Sequence, residues 1–214
     1  RIKPIHLKEK IMARLINGIM GAFRGKVGTV VGYTRNGEGI IRGLPRKISK
    51  EPTQKQLDNR KKMAACQEWL KLITPFVRIG FKNFSAKQHG FGSALSYLKL
   101  NAMTEDLEVD ASKALISWGD LPLPVAAAVS NPKPGILEIT WEAIQGDTDR
   151  AMVLAYDVKQ DFKGEVCGER RSEGKQLLDC KDLKGKELHV YLGFVSEERD
   201  RCSDSVYLGK VGVR

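Results

Sequence analysis

Residues 136–143 read ILEITWEA, with Leu137, Ile139 and Trp141 apolar and Glu138, Thr140 and Glu142 polar between them. Side chains alternate faces along a strand, so this spacing buries one face and wets the other; a helix would need the apolar set three and four residues apart. RAMVLAYDV (150–158), LHVYLGFV (188–195) and DSVYLGKV (204–211) are further strand-forming runs, separated by polar turns that contain Gly and Asp. In LHVYLGFV the inward positions fall to Val190, Leu192 and Phe194. The chain beyond residue 120 is therefore predicted to be an all-β antiparallel sandwich of about seven strands in roughly ninety residues.

Just before it, WGDLPLPVAAAVSNPKPG (118–135) holds Pro122, Pro124, Pro132 and Pro134. Proline removes a backbone donor and interrupts periodic structure, so the run reads as a join. The charge changes sign in the same region: residues 1–104 carry 21 Lys+Arg against 5 Asp+Glu, net +16, and residues 105–214 carry 15 against 21, net −6. Two domains are expected, a basic α+β module over 1–120 and the sandwich over 121–214. A half at +16 repels itself. An anionic partner such as nucleic acid, an acidic protein surface or anionic lipid relieves that repulsion, and so does docking onto the chain's own acidic half.

Within the basic half, GIMGAFRGKVGT (18–29) ends a glycine-rich run in Gly-Lys, as phosphate-binding loops do. Such a loop needs four residues between its glycines and a hydroxyl after the lysine; here Gly21 and Gly25 are separated by three, and Val27 stands where the hydroxyl belongs. Gly37, Gly39 and Gly43 miss the dinucleotide spacing as well. The better reading is the approach to a β-hairpin: KVGTVVGYTRNGEGIIRGLPRK (26–47) sets strand formers on either side of Asn36-Gly37, the strongest short hairpin signal. The hairpin carries Lys26, Arg35, Arg42, Arg46 and Lys47. A two-stranded basic ribbon fits a major groove, although exposed basic side chains also protect a sheet edge.

EPTQKQLDNRKKMAACQEWLKLI (51–73) follows, with Thr53 ahead of Gln56 in capping-box spacing and Leu57, Ala64, Trp69, Leu72 and Ile73 near helical spacing. Arg60, Lys61 and Lys62 make this helix basic. With the five hairpin residues they form the candidate polyanion- or partner-binding set. Thr74-Pro75 breaks the helix, FVRIGFKNF (76–84) continues as a shorter helical or extended piece, and 91–103 has the pattern of another helix. Phe76, Phe81, Phe84, Phe91 and Tyr97 would stack on bases if exposed, but phenylalanine belongs in a core.

Catalytic chemistry is not assembled in this sequence. Cys66, Cys167, Cys180 and Cys202 form no C-x-x-C pair, and only His6, His89 and His189 supply imidazole, so no zinc framework can be drawn. Scattered thiols of this kind point to buried cysteines in a reducing compartment, although Cys167 and Cys180 have positions that would let them meet across strands. No nucleophile, base and orienting group stand in a recognisable motif, so a non-enzyme without cofactor, metal or small-molecule substrate is expected. The N-terminal apolar runs are interrupted by Arg14 and Asn17, short of a signal peptide or a membrane span; a cytoplasmic protein is the default, with assembly into a virion or exported particle as the other route. Met12 suggests that residues 1–11 extend a shorter original product.

ILEITWEA, with Trp141 on an early core strand, and HVYLGFVSEERDRCSDSVYLG (189–209), a late hairpin, together resemble a fibronectin type III or immunoglobulin-like sandwich. From Met12 onward the segments MARLINGIMGAFRGKVGTVVGYTRNGEGIIRGLPRK, PTQKQLDNRKKM, IGFKNF, ALSYLKLNAM and VYLGFVSEERDRCSDSVYLG resemble a family of Bacteroidetes proteins known as a domain of unknown function. Residues 35–63 are also similar to short phage and prophage proteins with an Arg-rich hairpin and a following helix. Neither resemblance supplies a catalytic residue. The expected function is a non-catalytic structural or interaction protein, its basic module docking into a larger assembly or homo-oligomer and its sandwich presenting a binding surface. The alternative is nucleic-acid binding by the hairpin and helix, led by phosphate contacts.

Overall fold

The computed structural model describes residues 12–15, 23–35, 37–45, 51–157 and 161–214, in two compact units, 1–52 and 53–214. Arg46 and Lys47 of the expected hairpin, Asn36 of its turn, and residues 1–11 lie outside the described residues. Three helices and three sheets make the described chain a mixed α and β protein.

The first unit is one antiparallel sheet: β1 (Met12–Leu15), β2 (Gly25–Val27), β3 (Val30–Arg35) and β4 (Glu38–Gly43) lie in the order β1-β4-β3-β2. The hairpin of β3 and β4 turns at Gly37, whose φ of 80° is the left-handed conformation that favours glycine. Gly32, in the middle of β3, is buried beneath Phe23; a Cβ there would meet the ring at 2.7 Å, so the aromatic lies flat on the sheet only because the side chain is absent.

The second unit opens with α1 (Gln54–Lys71), α2 (Thr74–Gly80) and α3 (Gly90–Asn101). Thr53 caps α1, donating its N–H to Gln56 Oε1 at 3.1 Å, and Pro75 sits in the first turn of α2, where a missing donor costs nothing. Seven strands follow: β5 (Ala128–Lys133), β6 (Ile136–Thr140), β7 (Arg150–Asp157), β8 (Asp161–Glu165), β9 (Lys175–Asp179), β10 (Glu187–Val195) and β11 (Val206–Gly212). They form a four-stranded sheet, β11-β10-β7-β8, and a three-stranded sheet, β5-β6-β9. Leu137, Ile139 and Trp141 pack with Leu188, Val190, Leu192 and Phe194 and with Ala151, Val153 and Ala155 in one core between the sheets.

β7 is buried along both faces. Met152, Leu154 and Tyr156 point the other way, into a second core with Trp69, Leu70, Ile73, Phe76, Phe81 and Leu98 of the helical segment. The helices therefore form a third layer on the back of the four-stranded sheet. Tyr156 donates its hydroxyl to Trp69 O and Tyr191 donates to Ala111 O, both at 2.7 Å, so each tyrosine buries its ring between the layers while its polar end finds a backbone acceptor.

The expected boundary at 120/121 thus falls inside one compact unit, and the proline run is not a free linker. Trp118 N–H donates to Gly80 O at 2.9 Å, Gly119 N–H to Asp204 Oδ1 at 3.0 Å and Leu121 N–H to Cys202 O at 3.0 Å. Arg171, 1% exposed, reaches Pro122 O at 3.0 Å and Leu123 O at 2.9 Å, with its guanidinium 4.2 Å from the centre of the Phe194 ring. Burying an arginine is costly unless it is paired and hydrogen-bonded. Here two strap carbonyls, the aromatic face and Asp147 at 3.8 Å supply those partners. The proline segment closes the sandwich as a strap.

Candidate interaction surface

Cross-strand register decides which basic side chains of the first unit act together. In an antiparallel sheet directly opposed residues share a face, as do residues two apart on one strand. Lys26 opposes Val31 and Val31 opposes Arg42; Tyr33 opposes Ile40, and Arg35 opposes Glu38 across the turn. One face therefore carries Lys26, Arg35 and Arg42, with Glu38 opposite Arg35, around half-buried Val31, Tyr33 and Ile40. The Arg42 guanidinium lies 5.7 Å from the centre of the Tyr33 ring. The opposite face holds Val27, Val30, Gly32 and Ile41, with Phe23 on the glycine.

The hairpin is flanked by β1 and β2, not free on both sides. Four strands span about 14 Å between outer strand axes, more than the ~12 Å major groove that a two-stranded ribbon enters. What the basic strands present is a sheet face.

Arg60, Lys61 and Lys62 belong to the second unit, on α1. Only the C-terminal half of that helix meets the core, through Cys66, Trp69 and Leu70; between Gln54 and Lys61 every residue but half-buried Asp58 is exposed. Continued toward the N-terminus, the core-facing stripe reads Lys62, Asp58 and Lys55, so the helix runs past the apolar surface, and Leu57, 37% exposed, stands among polar residues in its first two turns. The eight expected residues thus divide into three on the first unit's sheet, three on α1 and two outside the described residues.

The aromatics expected in a core are there: Phe76 and Phe81 are buried, and Phe84, Phe91 and Tyr97 pack against the helical core, so none is free to stack on bases. The four cysteines are free thiols. Burial pushes the Cys202 thiol up to about 12 and the Cys180 thiol to about 11, far from nucleophilic thiolates. His189 Nδ1 lies 2.8 Å from the Tyr207 hydroxyl, and His89 is exposed at the start of α3. An open hollow of about 500 Å³ is lined by Gln67, Glu68, Lys71, Thr74 and Phe91. Among the described residues there is no group of three or more His, Cys, Asp and Glu side chains placed to hold a metal ion, and no helix long and apolar enough to cross a membrane.

The molecule is thus a mixed α and β protein whose surface is marked by charge. Residues 22–209 match DUF6266, a family of unknown function, and the chain belongs to that family. No curated protein matches it. Among solved structures it is similar to the fn3 domain of human collagen alpha-1(XX) chain, at 17% identity and a TM-score of 0.34, over 45% of this chain and 88% of that one.

Proposed function

We propose that this is a non-catalytic structural or interaction protein: the basic face of the first unit docks it to an anionic surface in a larger assembly, and the second unit, a fibronectin III-like sandwich backed by helices, presents a binding surface. The observation that carries the reading is the register that gathers Lys26, Arg35 and Arg42 on one sheet face. Composition supports it. The first unit carries 12 Lys+Arg against 3 Asp+Glu, net +9, whereas the second carries 24 against 23, net +1. The fibronectin III-like reading rests on seven consecutive strands divided into a three-stranded and a four-stranded antiparallel sheet around one core. A phage-derived or exported particle is the kind of assembly such a docking module suits.

Fluorescence anisotropy with labelled polyglutamate and labelled duplex DNA, at low and high salt, tests the reading against a Lys26→Ala, Arg35→Ala, Arg42→Ala triple variant. Polyglutamate should bind the parent, weaken as salt rises and be lost in the variant. Binding that survives the triple change would overturn the assignment of the face. Tight DNA binding with a steep linear dependence of log affinity on log salt would establish the nucleic-acid alternative instead.

A further inference from the structure

The second unit carries an apolar patch at one end of its three-stranded sheet. Leu123 is 51% exposed, Val125 54% and Ile144 42%, while Pro124 between the first two is buried. The alternation follows from extended backbone in the strap: Arg171 holds the Leu123 carbonyl, and Glu142 N–H donates to Val125 O at 2.9 Å. That last bond continues the β5–β6 ribbon beyond its last paired residues, Ala128 and Thr140, and brings Ile144, two residues past Glu142, to the same end. The surroundings are acidic. Glu142 and Glu173 are exposed, Asp147 is partly so, and Gly174, next to Glu173, lies against Ala143; Lys175 stands further along on β9, opposite Thr140.

Isolated surface leucines need no explanation, but Leu123 and Val125 on the pinned strap, with Ile144 brought to the same end, have Glu142, Glu173 and Asp147 beside them and Lys175 further along, and an apolar centre with a predominantly acidic edge has the anatomy of an interface. The first unit presents the complement, with Val31, Tyr33 and Ile40 at the centre and three cations, Lys26, Arg35 and Arg42, around them against one carboxylate, Glu38. We propose that the occupant of the Leu123–Val125–Ile144 patch is the basic sheet face of a second copy of this chain. The inference rests on the docking reading above and names its partner. Because donor and acceptor are different surfaces, the contact is head-to-tail and propagates from copy to copy unless its rotation closes a ring.

Sedimentation velocity on the full chain across a concentration series, at low and high salt, tests this. The weight-average mass should rise with concentration at low salt and fall toward the monomer at high salt. A donor variant, Lys26→Ala with Arg42→Ala, and an acceptor variant, Leu123→Ser with Val125→Ser, should each weaken self-association at least tenfold, with unchanged far-UV circular dichroism because all four side chains are on the surface. Mixed in equal amounts, the two variants retain one intact donor and one intact acceptor, so they should form a 1:1 pair and nothing larger. A parent that stays monomeric at every concentration, self-association indifferent to both variants, or a mixture that forms no pair would overturn the proposal. A monomeric parent that still binds polyglutamate through the basic face would remove only the self-partner; a parent that binds neither itself nor polyglutamate would remove the docking reading as well.

Discussion

Both units contain antiparallel sheet, yet they keep their apolar residues in opposite ways. Within residues 23–35 and 37–45 of the first unit only Gly32 and Gly39 are buried, and Val27 is 60% exposed. The second unit buries large hydrophobic side chains from Trp69 to Val213 in two cores on either side of one sheet. A sheet needs another layer to cover at least one face, and the helices and the three-stranded sheet supply two in the second unit. Among the described residues of the first unit no second layer covers its sheet, and a unit of 52 residues is small for a core of its own. The difference teaches that the described apolar burial lies in residues 53–214, and the proposed docking would cover part of what the described sheet of the first unit leaves exposed.

The strongest way to break the comparison is Trp69→Ala. Trp69 is 2% exposed and meets Tyr156 and Tyr191 edge-on at 5.5 and 6.2 Å between ring centres. Removing it should cost about 3–5 kcal/mol, and helix and sheet signals should lose stability together in one chemical-denaturation transition. A variant whose helices melt early while the strands keep the parent midpoint would restore a boundary near residue 120. Gly37→Val should be smaller and local: at a φ of 80° a β-branched residue is strained by roughly 1–3 kcal/mol. Hydrogen exchange should quicken over residues 30–43 and stay unchanged over 150–157; equal changes in both would mean that the units unfold as one.

The smallest expected effect is on pH dependence within the second unit. Burial, with a lesser contribution from Lys210, holds the His189 imidazole below its ordinary 6.5. The unfolded chain therefore takes up the proton first, so stability is complete above about 6.5, falls as pH is lowered through that value, and levels off once the folded histidine is protonated too. Denaturant midpoints measured from neutral to mildly acidic pH should show this fall, and His189→Gln should flatten it. A parent and a variant with identical profiles would assign the acid sensitivity to other groups.

Much of the second unit was legible. The alternation at Leu137, Ile139 and Trp141, the later strand with Val190, Leu192 and Phe194, the cap at Thr53 and Gln56 and the break at Pro75 all have local causes and are present in the structure. The third layer was not read, although RAMVLAYD carries its signal: a strand with an apolar residue at nearly every position is covered on both faces, and something must cover the second. Prolines commonly mark linkers, whereas here Pro122 and Pro124 lie in a strap held by Arg171, 49 residues after Pro122, Pro132 lies in β5 and Pro134 in the connection to β6. The basic set was legible as charge but not as a surface, because three of its members lie on a sheet and three on a helix of another unit.

The amino-acid order by itself determined the strands, the turn at Gly37 and the uneven division of charge. Side-chain direction reverses at every residue of an extended chain whatever its partners are, φ preference belongs to the residue, and net charge is additive. Tertiary structure alone decided what covers the back of β7, which carbonyls Arg171 satisfies and which cations share a face. Each of these depends on register or packing between residues far apart in the chain, and a shift of one residue would turn every side chain of a strand to the other side of its sheet.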